Sequence, residues 1–183
     1  MADLFASCTS PWQQARALVV GLLACCALVS AAAAAESFEN DYEEKPWEEI
    51  EPALPAALNP DALIPFYVSA VTENRFFVDG DSISVGADGV VRYTLVVVSA
   101  TGARNVSYEG IRCDSAERRL YAFGRADGSW SKARGNAWVK IQNSTFNRQH
   151  VALFAEYFCP VGSRVADADE ARRALRAGGV QRP

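Results

Sequence analysis

From Ser82 to Phe123, apolar and polar positions alternate with a period of two between short turn clusters, the pattern of consecutive antiparallel strands. Ser82 to Val85 runs into an Ala87-Asp88-Gly89 turn. Val90 to Ser99 is a long apolar strand, Thr101-Gly102 turns the chain, and Asn105 to Cys113 and Arg119 to Phe123 follow. Within Val90 to Ser99, one face carries Val91, Tyr93, Leu95 and Val97. The other carries Arg92 and Thr94, then Val96 and Val98. A strand apolar on both faces over its second half is covered on both sides there, which predicts a central position. Upstream, the pattern predicts a strand over Phe66 to Val71, a second over Phe76 to Asp79, and an Asp79-Gly80-Asp81 turn. Downstream, Trp130 follows an Asp127-Gly128 turn, and Trp138 to Ile141 reads as a last short strand.

The period then changes. From Ser144, read as an N-cap, the positions Phe146, His150, Leu153, Phe154, Tyr157 and Phe158 follow one helical face, with Pro160 just past its end. A second helix is expected from about Ala168 to Ala177, opened by Asp167 with Glu170 three residues on and stopped by Gly178. Strands first and helices last predict an α+β fold: an antiparallel sheet of about 5–7 strands with two C-terminal helices packed on it.

Before the strands, the chain reads as two other segments. Arg16, the uncharged apolar run Ala17 to Val29, Ser30 and five alanines have the layout of a signal peptide, with cleavage expected after Ala35. Two alternatives stand beside it: an uncleaved anchor over Ala17 to Ala35, and a lipoprotein site at Leu22-Leu23-Ala24-Cys25 that leaves a lipidated Cys25. Periplasmic localisation is the expectation, outer-membrane attachment through Cys25 the alternative. Residues 36–63 form an acidic arm punctuated by Pro46, Pro52, Pro55 and Pro60, residues 64–178 the folded domain, and residues 179–183 a tail. Prolines at that density forbid a continuous helix or central strand.

Charge sharpens this division. The formal net charge is -4, yet Glu36 to Glu51 holds eight acids against Lys45 alone, while Pro52 to Pro183 holds thirteen acids and sixteen bases. The arm is thus either solvated and flexible, or lies back across the basic domain or on a basic partner. Trp47 favours anchoring, because a tryptophan on a free tail is left in water.

Of the five cysteines, Cys8, Cys25 and Cys26 fall in the leader, leaving Cys113 and Cys159. In an oxidising compartment this pair predicts one disulfide, with two buried thiols or a nucleophilic cysteine as competing readings. No C-x-x-C and no metal-ligand spacing of Cys or His occurs, so neither a metal nor a cofactor is expected. His150, the lone histidine, shares its helical phase with apolar residues and is expected to be packed. G-x-S-x-G, H-E-x-x-H and a phosphate-cradling glycine loop are all missing.

Bases and aromatics interleave after Cys113: Arg119, Tyr121, Arg125, Trp130, Lys132, Arg134, Trp138 and Lys140. Such a face suits a glycan, a peptidoglycan fragment, an anionic lipid head or a partner protein. The alternative is core aromatics alternating with ordinary solvated bases. Nucleic acid is disfavoured by export and by the acidic balance. Glu109 shares a strand face with Ile111 and Cys113, an awkward place for a carboxylate without a partner, and Arg92 or Arg112 is expected to supply one. The candidate binding residues are therefore Arg92, Tyr93, Glu109, Arg112, Tyr121, Trp130 and Trp138. The expected role is a non-enzymatic binding or accessory domain of the envelope. The alternative is a hydrolase or isomerase of envelope polymers using Glu109 with Arg92 and Arg112.

Several blocks carry a resemblance: Glu44-Lys45-Pro46-Trp47, Phe77-Val78-Asp79, Gly89 to Tyr93, Asn105 to Cys113, Tyr121 to Gly124 and Tyr157-Phe158-Cys159-Pro160. On these the chain resembles the cryptic neisserial protein-like family over nearly all of Asp41 to Gly178. The resemblance implies an exported proteobacterial protein of unassigned activity. In pattern only, Asp79 to Val85, Val91-Arg92-Tyr93, Glu109 to Cys113 and Arg119 to Tyr121 are similar to the small β domain of surface-adhesin E-like lipoproteins.

Overall fold

A computed structural model describes residues 46–142, 147–160 and 163–179. The leader, the first part of the acidic arm, Ser144 and Phe146 lie outside these residues. A short 3-10 turn (Pro60–Ala62), capped by Asn59, leads into seven strands: β1 (Leu63–Phe66), β2 (Arg75–Val85), β3 (Val90–Val98), β4 (Arg104–Arg112), β5 (Glu117–Gly124), β6 (Trp130–Lys132) and β7 (Val139–Lys140). They make one antiparallel sheet in the order β1-β2-β3-β4-β5-β6, with β7 pairing the start of β5. Helix α1 (Arg148–Ala152) widens into a π-helical segment (Leu153–Phe158), and α2 (Ala168–Arg176) follows. The fold is α+β, with β3 central.

Two expectations are corrected. Asp79-Gly80-Asp81 is not a turn between strands: β2 runs through it as one strand, with a register shift between Asp79 and Ser84 where it pairs β3. Asp79 Oδ1 accepts the Asp81 amide at 3.0 Å, and Ser82 Oγ donates to the Asp79 carbonyl at 2.8 Å, so local side-chain bonds hold an irregularity that reads as a turn in sequence. The first strand ends at Phe66 rather than Val71, and Tyr67 and Val71 are exposed.

The helices cover one face of the sheet. Val78, Val91, Tyr93, Leu95 and Ile111 pack there against Leu153, Tyr157, Phe158 and Leu175. The rings of Tyr93 and Phe158 lie 5.1 Å apart, and those of Phe66 and Tyr157 5.6 Å. Helix α2 begins as its residues predict: Asp167 Oδ1 accepts the Glu170 amide at 2.7 Å, and Glu170 Oε2 reaches back to the Ala166 amide at 2.6 Å. Gly178, at φ +78°, ends it. Arg172 then ties α2 to the Gly80 carbonyl at 2.8 Å.

Cys113, just past β4, is bonded to Cys159 at the end of the π-helical segment, with Cα atoms 5.4 Å apart and a sequence separation of 46. A bridge closing a loop of that length destabilises the unfolded chain by about 4 kcal/mol on the chain-entropy account. Reducing the bond, or replacing both cysteines by serine, is expected to lower unfolding stability by about 2–4 kcal/mol, read as a shifted urea midpoint.

Candidate functional site

The two faces of the central strands carry different chemistry, because Tyr93 pairs Glu109 across β3 and β4 while Arg92 pairs Gly110. Successive side chains point to opposite faces, so Tyr93 and Glu109 belong to the helix side and Arg92 to the other. The seven candidate residues therefore do not form one constellation.

On the helix side, Glu109 is 4% exposed and fully bonded. Its Oε1 accepts from Ser107 Oγ at 2.6 Å. Its Oε2 lies 2.7 Å from His150 Nε2 and accepts from the Tyr93 hydroxyl at 3.3 Å. The expected partner was Arg92 or Arg112; the partner found is His150, packed as expected but packed on a carboxylate. In the register found, Arg92 pairs Gly110 and stands one residue out of phase with Glu109, so the pleat sends it to the far face. Burial pushes the Glu109 carboxyl upward, yet the attraction and hydrogen bond of His150, the Ser107 hydroxyl and the more distant Arg118 outweigh it and hold the carboxyl below its ordinary value. The Tyr93 hydroxyl is driven well up by burial and by the neighbouring Glu109. A buried carboxylate held below its ordinary value is poorly suited to act as a general acid.

On the far side, residues 47–50 lie across the sheet. Trp47 and Glu49, two apart in non-helical chain, both turn inward. The Trp47 indole donates to the Asp88 carbonyl at 2.8 Å, stands edge-on to Trp138 with ring centres 5.8 Å apart, and has the Arg112 guanidinium 4.1 Å above its ring. The Glu49 carboxylate is the focus of four groups. Tyr121 donates to Oε1 at 2.6 Å, Arg92 Nη2 lies 3.6 Å from Oε1, Trp138 Nε1 donates to Oε2 at 3.0 Å, and Arg119 pairs with Oε2. The backbone is held too: the Ile50 amide donates to Asp88 Oδ2 at 2.9 Å, and Arg92 Nη2 donates to the Ile50 carbonyl at 2.8 Å.

Local irregularities build this surface. Tyr108 pairs Ala122 but Glu109 pairs Leu120, so Tyr121 is the extra residue of a bulge in β5. Tyr121 shares the face of Arg119, and the bulge after it sends Phe123, opposite Ser107, to the helix side; without the bulge, Arg119, Tyr121 and Phe123 all share a face. Gly110 gives the Tyr121 ring its bed, since a Cβ there meets the Tyr121 hydroxyl at 2.5 Å. Tyr108 stacks beside Tyr121 at 5.3 Å, and Trp130 packs on Tyr108 while its indole donates to the Pro55 carbonyl at 3.0 Å.

Asp88, a turn former in the sequence reading, is a working part of the site. It takes the Arg92 guanidinium at 2.6 Å. Burial raises its carboxyl, but the Arg92 hydrogen bond and the Ile50 and Val90 amides outweigh that and lower it. Arg92 is deprotonated less readily than usual: burial works against its charge, and Asp88, Tyr121 and Glu49 more than restore it. Burial and the adjoining Glu49 both push the Tyr121 phenol upward. Glu49 and Asp88 were not among the candidates. The acidic run and the single turn hid them, although Trp47 signalled that its neighbours dock.

The model of the CNP1-like family matches residues 42–176 of the chain. No curated protein and no solved structure matches it.

Removing Glu109 leaves His150, Ser107 and Tyr93 buried without their acceptor. Glu109→Ala is expected to cost about 3–5 kcal/mol, while Glu109→Leu combined with His150→Phe recovers most of it, measured by urea unfolding. A carboxyl lowered in the folded chain gives its full stabilisation above the ordinary glutamate pKa and loses it as pH falls through the folded value. Between about pH 5 and pH 2 the wild-type chain should therefore lose stability that Glu109→Gln does not lose.

Proposed function

The chain belongs to the CNP1-like family, and from that premise we propose that it is an exported envelope protein acting as a non-enzymatic binding or accessory domain, its binding surface the sheet face opposite the helices. The observation that carries this reading is the convergence of Arg92, Arg119, Tyr121 and Trp138 on one carboxylate beside an aromatic seat made by Arg112 and Trp138. That is recognition chemistry: fixed donors, cation–π contacts and a rigid sheet beneath.

Two further features support the reading. The joined Cys113 and Cys159 suit an oxidising compartment, in keeping with the signal-peptide layout of residues 1–35. Glu109 is enclosed on the helix side, away from Arg92 and Arg112, so the combination a polymer-cleaving or isomerising enzyme would need is divided by the sheet.

Two measurements test the proposal. Expressed with its own leader in a bacterial host, the protein is expected in the periplasmic fraction, with an intact mass that begins at Glu36 and lacks the two thiol hydrogens. A full-length cytosolic product with free thiols overturns the export reading. Captured from envelope extract, a component that binds the wild-type protein should be lost with Arg119→Ala/Trp138→Ala and retained with Glu109→Gln. Equal capture by all three overturns the choice of face.

A further inference from the structure

The outer face is not bare: it holds a piece of its own chain in the manner of a ligand. Residues 46–59 pair with no strand, and none of them belongs to either buried apolar cluster. Residues 47–50 are held by an aromatic seat, a carboxylate receptor and a clamp on one peptide unit. Every receptor group is supplied from elsewhere: Asp88 and Arg92 from the β2–β3 turn and β3, Arg112 from β4, Arg119 and Tyr121 from β5, and Trp138 from just before β7.

Charge makes the receptor selective. Arg92 keeps Asp88 as a second partner and Arg112 keeps Glu117, 3.6 Å away, whereas Glu49 is the carboxylate that Arg119 meets. With Glu49 withdrawn, the face carries an uncompensated guanidinium beside a phenol and an indole N–H. Among the described residues, the buried Nε atoms of Arg92 and Arg119 have no hydrogen-bond partner, so Glu49 does not satisfy every donor of the two guanidiniums. An acidic group suits that guanidinium, and the flanking indole seat suits an aromatic group two residues ahead of it.

We propose that this face is a peptide-recognition site for an acidic segment of a partner protein with the pattern aromatic-x-Glu or aromatic-x-Asp, and that residues 47–50 occupy it in cis as a tethered competitor. The inference rests on the binding reading above and adds the ligand class and its control. In extended chain, residues i and i+2 project to the same side. Glu49 therefore enters the face, Trp47 lies on it beside Arg112 and Trp138 with 41% of its surface still exposed, and the clamp on Ile50 fixes direction without reading its exposed side chain. A short tether holds its own segment at an effective concentration on the order of millimolar, so a partner peptide must outcompete it or meet a chain whose arm has been drawn away.

The test uses full-length protein and a fluorescent synthetic peptide of residues 46–54, Pro-Trp-Glu-Glu-Ile-Glu-Pro-Ala-Leu, read by polarisation. The arm variant Trp47→Ala/Glu49→Ala should bind the peptide at least about tenfold more tightly than wild type, because its competitor is gone. Adding Arg119→Ala to the arm variant, or replacing the glutamate at the Glu49 position of the peptide by glutamine, should weaken binding by about tenfold or more. An arm variant that keeps its disulfide and circular dichroism yet binds no better than its Arg119→Ala counterpart overturns the proposal. So does an arm variant that cannot fold, because the arm is then a structural strut. Hydrogen exchange on the wild type gives an independent check. The Ile50 amide should exchange much faster than amides shared by β3 and β4, and equal protection overturns the proposal. A concentration-dependent dimer abolished by Trp47→Ala identifies a second copy as the occupant and likewise overturns a partner peptide. If the folded arm variant ignores the peptide while wild-type protein still captures an envelope component through Arg119 and Trp138, the binding reading stands and this inference alone fails.

Discussion

Strand β3 is buried along both faces, and this double cover governs the rest of the molecule. Seven of its nine residues, Val90 to Val96, are fully enclosed. Helices supply one cover, and residues 47–50 with the Tyr108, Tyr121 and Trp130 cluster supply the other. A central strand with two covers keeps its backbone paired on both edges and its side chains out of water. Each face then becomes a separate chemical compartment, insulated from the other by one layer of hydrogen-bonded backbone.

The two compartments spend their charged groups differently. On the helix side, Glu109 and His150 compensate one another and are enclosed by apolar packing, so their effect is to fix how the π-helical segment and its neighbours seat on the sheet. On the arm side, three arginines face three carboxylates, and two of those, Glu49 and Asp88, lie on segments that are not strands. A charge pair sealed beneath a disulfide-braced helix gives rigidity. A charge cluster covered by unpaired chain gives a surface that can be exchanged. Function is read on the second for that reason.

Much of the fold was legible because it rests on local signals. The two-residue period of Val90 to Ser99, the turns at Gly89, Gly102 and Gly128, the cap at Asp167 and the change of period before His150 each act over a few residues, and each corresponds to an element in place. The disulfide followed from parity and compartment. What was not legible depends on contacts across long sequence distances or on backbone irregularity. The bulge at Tyr121 moves Phe123 away from Arg119 and has no residue signature of its own. The partner of Glu109 lies 41 residues downstream on a helix, and no rule of spacing connects the two. Phase along β4 alone separates Arg112 from Glu109, whereas the face of Arg92 depends on the β3–β4 register, which no residue spacing sets. Glu49 and Asp88 were hidden by company: one acid in a run of eight, and one aspartate in a turn where aspartate is ordinary.

The reach of the arm's contacts has a consequence for how the molecule assembles. Residues 47–50 are made early, but their partners lie far along the chain: Asp88 and Arg92 about forty residues on, Arg119 and Tyr121 some seventy, and Trp138 eighty-nine from Glu49. Loop closure over such spans is entropically costly until the intervening hairpins have drawn the ends together. A segment that emerges ahead of all its partners is therefore the last to settle, and it closes over a sheet that must already exist beneath it.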